Sequence, residues 1–222
     1  TLVDYEYSKI TQEGYMVSAG EGGQGINEGA LFSDYQLKEY EFSISKCKYF
    51  RRGLDIGGCY GIQSIRMAKD FVTVEAFEPL FYKFLEYNTK EFDNVNIHPY
   101  ALSSSNSTAT MRVGVFNAGG SNITYKTRDK RQKYEEVETR TLDSFGFTDV
   151  DFIKIDVEGH EWIVLESGFE TAKQCNVFMI EIDDGKQLPS KKHRNYDDIH
   201  MYFEERGFRN KRFRHDTVFW KE

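Results

Sequence analysis

The chain has 222 residues, 39% hydrophobic and 15% aromatic, with a formal net charge of −7 from 36 acidic and 29 basic residues. That apolar content suffices for one sizeable core, which excludes wholesale disorder, and the acidic balance argues against general nucleic-acid coating, which wants a basic domain. No apolar run approaches the roughly 18 residues of a membrane span. The first residues lack a basic segment followed by an apolar one, so no secretion signal is expected. Cys47, Cys59 and Cys175 are far apart and form no C-x-x-C pair. They indicate neither a zinc knuckle nor a disulfide frame, and a reducing, cytoplasmic setting is expected.

Residues 1–50 read as an N-terminal extension with a Gly-rich loop and one helix, and 51–222 as the main domain. Gly20, Gly22, Gly23, Gly25 and Gly29 crowd one stretch. It is either a surface loop or a flap over a site, since lids need backbone freedom. Ser33 and Gln36 have capping-box spacing, and Leu37, Tyr40, Ile44 and Cys47 recur on one helical face. From residue 53 strand and helix alternate. Residues 53–56 form an apolar strand running into glycines, and 61–69 a helix with Ile62, Ile65 and Ala68 inward. Residues 71–77 form a strand, after which Pro79 suits the first turn of a helix carrying Phe81, Phe84, Leu85 and Phe92. Residues 95–102 read as another strand, weakened at its far end by Pro99. Two β-rich stretches, 108–116 and 135–142, flank Gly119, Gly120 and a basic patch. A strand over 150–157 leads to a short helix with Trp162, Ile163 and Leu165, stopped at Gly168. A buried strand (177–182), a helix marked by Tyr196, Ile199 and Phe203 and ended by Gly207, and a hairpin of 208–213 and 217–220 complete the chain. The pattern predicts one α/β fold: a mostly parallel sheet with helices on both faces and an antiparallel C-terminal hairpin at one edge.

Three words carry chemistry: D-I-G-G-C-Y-G (55–61), V-E-A-F-E-P (74–79) and I-K-I-D-V-E-G-H-E (153–161). A strand ends in an acid, a glycine turn follows, and Glu78 ends the next strand. A carboxylate about 20 residues past a glycine loop is where a Rossmann site grips a ribose diol. The glycines at 57, 58 and 61 do not have the G-x-G-x-x-G spacing of a dinucleotide site. Asp55 would also repel a pyrophosphate, by roughly 4 kcal/mol for two unit charges ~4 Å apart near a protein surface. S-adenosylmethionine carries an ammonium and a sulfonium and no phosphate, and it suits acids at the strand ends, Asp55 and Asp156, directly or through water. Glycines would let the backbone lie close to it.

These words, with N-V-N-I-H-P-Y-A-L-S (94–103), R-T-L-D-S-F (140–145) and M-I-E-I (179–182), occur in the order seen in FkbM-like methyltransferases. The chain resembles that family over residues 54–182, a little over half its length. The resemblance implies a class I, Rossmann-like methyltransferase fold using S-adenosylmethionine, and O-methyl transfer to a hydroxyl of a sugar, glycan or small natural product. By resemblance Asp55, Gly57, Gly58, Cys59 and Gly61 form the cofactor loop. Glu78, with Pro79, holds the ribose, Tyr100, Ala101 and Leu102 border the adenine, and Asp156 lies near the transferring methyl. Cys59 and Tyr60 depart from the small or amide residues frequent there, and Tyr60 is expected to shape the pocket.

Methyl transfer to oxygen needs alignment and removal of the acceptor's proton. The catalytic candidates are Asp156, Glu158 and His160, with Glu161 beside them, just past one strand end, where sites of open parallel sheets lie. Asp156 could be the base or the partner of the cofactor's ammonium. Glu158 could contact the acceptor or stabilise a helix N-terminus, and His160 could take a proton or sit on the surface. Glu181, in an otherwise apolar strand, needs a partner. Asp156, Glu158, His160, Glu181 and Asp183 could gather a divalent ion, but no tight ligand spacing supports one and no metal is expected. Basic clusters at 126–133, 186–194 and 206–214 are either solvated loop charge or the mark of an anionic acceptor such as a nucleotide-sugar. The expected partner is a small-molecule or glycan acceptor, without nucleic acid or membrane. The competing readings are an NAD-dependent oxidoreductase and a catalytically silent nucleoside-binding module.

Overall fold

The computed structural model of the chain describes residues 8–11, 13–18, 34–114, 118–124, 132–182 and 196–222. A short antiparallel ribbon, β1 (Ser8–Ile10) with β2 (Met16–Ser18), precedes α1 (Leu37–Ile44). Then follow β3 (Arg52–Ile56), α2 (Ile62–Asp70), β4 (Thr73–Phe77), α3 (Tyr82–Thr89) and β5 (Val95–His98). The middle of the chain supplies β6 (Ala101–Leu102), β7 (Ser107–Val113), β8 (Asn122–Ile123) and β9 (Lys133–Arg140). The last third supplies β10 (Val150–Ile155), α4 (Glu161–Ser167), α5 (Phe169–Ala172), β11 (Val177–Glu181), α6 (Tyr196–Glu204), β12 (Arg209–Arg212) and β13 (Asp216–Trp220).

Seven strands form the central sheet in the order β12-β13-β11-β10-β3-β4-β5. From β5 to β11 all neighbours are parallel, while β13 runs antiparallel to both β11 and β12. The C-terminal hairpin therefore closes one edge. Side-chain alternation sorts the core onto two faces. Phe178 and Ile180 of β11 join Ile153, Val164, Leu165 and Phe203 on the face covered by α4, α5 and α6. Val177 and Met179, the intervening residues, join Phe152, Val218, Met67 and Tyr40 on the face covered by α1 and α2.

Three local expectations are corrected. The run 95–102 is not one strand: it breaks at Pro99 and Tyr100, and β6 leaves the central sheet to pair in parallel with β9. Together β6, β9, β7 and β8 form a separate four-stranded sheet that the pattern did not announce. Gln36 is the N-cap of α1 in a left-handed conformation (φ 51°) and makes no side-chain cap, so it does not take part in a capping box; Ser33 lies outside the described residues. Also outside them lie the glycine cluster at 20–29, most of the basic patch at 126–133 and the basic cluster at 186–194. No helix among the described residues is long and apolar enough to cross a membrane.

The topology places the site. β3 is flanked by β4 on one side and β10 on the other, so the connections leave it in opposite directions. Such a switch point opens a crevice at the carboxyl ends of the strands.

Candidate functional site

A cavity of about 620 Å³ lies at that crevice, a volume in the range that holds small molecules and cofactors. Of the expected residues Gly57, Gly58, Cys59, Glu78, Pro79, Ala101, Asp156, Glu158 and His160 line it. Asp55 and Gly61 do not. The Asp55 carboxylate is fully buried one layer beneath, where it accepts a hydrogen bond from Ser64 Oγ at 2.6 Å. Gly61 is the left-handed N-cap of α2 and packs against Leu85 and Thr89.

The glycine turn is dictated by crowding. The loops after β3 and β10 approach so closely that a Cβ on Gly57 would lie 1.8 Å from the Asp156 carbonyl oxygen, and φ there is +84°. Gly57 and Gly58 both donate their N–H groups to the Phe77 carbonyl at 3.0 Å, tying the turn to β4.

Glu78 is buried on the cavity wall. Its Oε1 accepts the N–H groups of Leu80 and Phe81 at 2.8 and 2.9 Å, and its Oε2 accepts that of Cys59 at 2.9 Å. Burial pushes its pKa up against these three bonds. A carboxylate oxygen has about two acceptor sites, so Oε2 keeps capacity for a further donor such as a ribose hydroxyl. Tyr60 also lines the cavity and packs edge-on against Phe81. Its hydroxyl accepts the Ser18 N–H, and its carbonyl accepts Asn88 Nδ2, which fastens β2 to this wall.

Lys154 is the charge at the centre. Its Nζ donates to the Gly57 carbonyl at 2.9 Å and lies 3.5 Å from both Asp55 Oδ1 and Asp156 Oδ2. Burial lowers its pKa, but Asp156 and Asp55 outweigh that and hold it above the ordinary value. Strand alternation explains the grouping. Lys154 is in register with Asp55 on β3, and Asp156 follows two residues later on the same face. Glu181 ends β11 in register with Asp216 of β13. Oxygens of Asp156, Glu158 and Glu181 come within 4.8 Å of one another.

So many acids cannot all ionise. Burial opposes the charge of Asp156, but Lys154, with hydrogen bonds from Glu181 and Gln36, holds its carboxyl below the usual range. Glu181 is driven the other way by burial, by the bond to Asp156 and by repulsion from Asp156 and Glu158, so it carries the proton of the pair. Asp216 is pushed up to about 7, first by burial and then by Asp156. Gln36 Nε2 donates to both Asp216 oxygens at 3.0 and 3.2 Å, and Gln36 Oε1 accepts Gln63 Nε2.

The loop after β10 is strained where it meets the cavity. Glu158 and Gly159 both have positive φ, 55° and 97°, and Glu158 is exposed. Glu161 steadies the loop from behind by accepting the N–H groups of Val157 and Gly159. His160 is buried rather than on the surface, with Nε2 3.1 Å from Ser103 Oγ.

Sequence reasoning missed Lys154, Asp216 and, on the cavity wall, Tyr35 and Gln36. Lys154 stands inside the quoted I-K-I-D word, where a lysine in a strand buried on both faces was a usable signal. Asp216, Tyr35 and Gln36 gave none: Asp216 comes in through the pairing of β13 with β11, and Tyr35 and Gln36 on the segment ahead of α1.

An open, mostly parallel sheet with a cavity at its switch point, a glycine turn and a ribose-competent acid at the next strand end is a class I methyltransferase architecture. A family model, the methyltransferase FkbM domain, matches residues 55–210. The chain belongs to the FkbM methyltransferase family. The nicotinamide-dependent alternative is not favoured. No curated protein matches the chain.

Solved structures similar to it include a methyltransferase FkbM from Methylobacillus flagellatus KT, at 15% identity and a TM-score of 0.49, covering 78% of this chain and 44% of that one. The chain thus spans less than half the length of that protein. Magnesium protoporphyrin IX methyltransferase from Synechocystis PCC 6803 with bound SAM is similar at 10% identity and a TM-score of 0.50, covering 85% of this chain and 78% of that one. A SAM-dependent methyltransferase from Aquifex aeolicus is similar at 13% identity and a TM-score of 0.47, covering 87% and 92%.

Proposed function

We propose that the chain transfers a methyl group to a hydroxyl oxygen of a sugar, glycan or small natural product, with Asp156 as general base. The observation that carries this reading is the Asp156 carboxyl on the cavity wall, 3.5 Å from the buried Lys154 Nζ and beside Glu181.

S-adenosylmethionine supplies, when bound, a methyl group activated by a sulfonium. Glu78 Oε2 holds the ribose hydroxyls, and the backbone of residues 57–60, with Pro79 and Ala101, forms the wall around the nucleoside. Asp55 acts from beneath through Lys154 and does not touch the ligand. Asp156 takes the acceptor's hydroxyl proton at a carboxylate oxygen, a step typically worth about 10²–10⁴-fold. Glu158, exposed at the rim, orients the acceptor, and His160 holds the rim to Ser103.

The test is formation of S-adenosylhomocysteine across a panel of hydroxylated sugars and natural products, with amine and carbon acceptors as comparators. Turnover on hydroxyls is expected. Asp156→Asn should reduce kcat at least about 100-fold while S-adenosylhomocysteine affinity stays within severalfold. An active Asp156→Asn removes the base, and turnover confined to amines overturns O-transfer.

A further inference from the structure

We propose that Lys154 is a positioning residue that holds Asp156 in its anionic form and, through the Gly57 carbonyl, couples that acid to the cofactor turn. The inference deepens the preceding reading and rests on it only for its effect on turnover.

Lys154 is buried within the sheet at the crevice, with just 4% of its surface exposed. Three oxygens surround its Nζ: one carbonyl at 2.9 Å and two carboxylates at 3.5 Å. Acids from several elements face this centre. Asp55 comes from β3, Asp156 and Glu158 from the end of β10, Glu181 from β11 and Asp216 from β13. Glu78 after β4, Glu161 of α4 and the Tyr35 hydroxyl ahead of α1 also border it. Gln36, ahead of α1, contributes only an amide. An ammonium there favours the charged form of Asp156, which lies against it, over those of Glu181 and Asp216, which border Asp156. An opposite charge within about 4–6 Å moves a carboxyl pKa by roughly 1–3 units. The bond to Gly57 does separate work. It ties β10 to the turn that lines the nucleoside half of the cavity, so the base and the cofactor wall share one anchor.

The experiment is carboxyl ¹³C NMR of aspartate-labelled protein, with the Asp156 signal assigned by its loss in Asp156→Asn. In Lys154→Met the Asp156 titration midpoint is expected to rise by about one pH unit or more; in Lys154→Arg, which keeps the charge, most of the wild-type position should remain. If Lys154→Met does not fold, Asp55→Asn/Lys154→Met removes one charge of each sign and serves instead. An unmoved midpoint in Lys154→Met, or in the double variant that replaces it, overturns the inference. The acid limb of the kcat–pH profile should move up with the midpoint. A midpoint that moves without the limb keeps Lys154's hold on Asp156 and overturns Asp156 as base, so the two failures are distinguishable.

Discussion

Glu161 shows how burial and hydrogen bonding compete at one side chain. Burial pushes its pKa up to about 7, although the N–H groups of Gly159 and Val157 favour its charged form. A carboxyl raised above its unfolded value stabilises the fold fully below the unfolded pKa, and that contribution is lost as pH rises through the folded one. Stability should therefore fall between roughly pH 4 and pH 7 on this account. Glu161→Gln keeps an oxygen for the two N–H donors and removes the proton-linked term. Its Tm relative to wild type is expected to rise from pH 5 to pH 8, with each pKa unit worth about 1.4 kcal/mol. Thermal melts at the two pH values check this, and parallel curves would discard the linkage.

Among the elements, the two loops that end β3 and β10 are mutually dependent. Gly57 lies where those loops touch, and its positive φ and the Asp156 carbonyl both exclude a Cβ. Gly57→Ala must move one loop or the other, and it is expected to cost several kcal/mol (strain alone is about 1–3 kcal/mol) and to abolish S-adenosylhomocysteine binding. Gly146→Ala is the internal control. Its φ is +64°, but nothing lies within 4 Å of the added carbon, so the loss should stay near 1–2 kcal/mol. Melts and calorimetry of both variants test the contrast, and equal losses would show that backbone conformation, not the close approach, governs the turn.

For the whole molecule, the cavity draws on β3, β4, β10, the second sheet and the segment before α1. Ligand binding should therefore stabilise the fold as a unit. A ligand that binds only the native state adds about 2.7 kcal/mol at a hundred times its Kd. For a chain of this size that is a Tm rise of roughly 5–10 °C. S-adenosylhomocysteine is expected to give this shift in a melting assay, NAD none at the same concentration, and Glu78→Ala most of the loss. A shift with NAD alone would reverse the assignment of the nucleoside.

The alternation of strand and helix was legible in the chain because strand period, helix period and glycine punctuation are local signals, as at 53–61 and 150–168. Asp55, Glu78 and Asp156 were legible as strand-end acids for the same reason. Other features depended on pairings between distant residues. Pro99 divides one apolar run between two sheets because β6 finds its partner in β9. Asp55 was placed in the right word but in the wrong layer, since which acid lines the cavity depends on where Lys154 lies across the neighbouring strand. Gln36 and Asp216 are 180 residues apart and meet only because β13 turns antiparallel against β11. Local pattern names the elements and their end residues, while the charge state of the site follows from register, because burial and the nearest opposite charge decide which carboxyl keeps its proton.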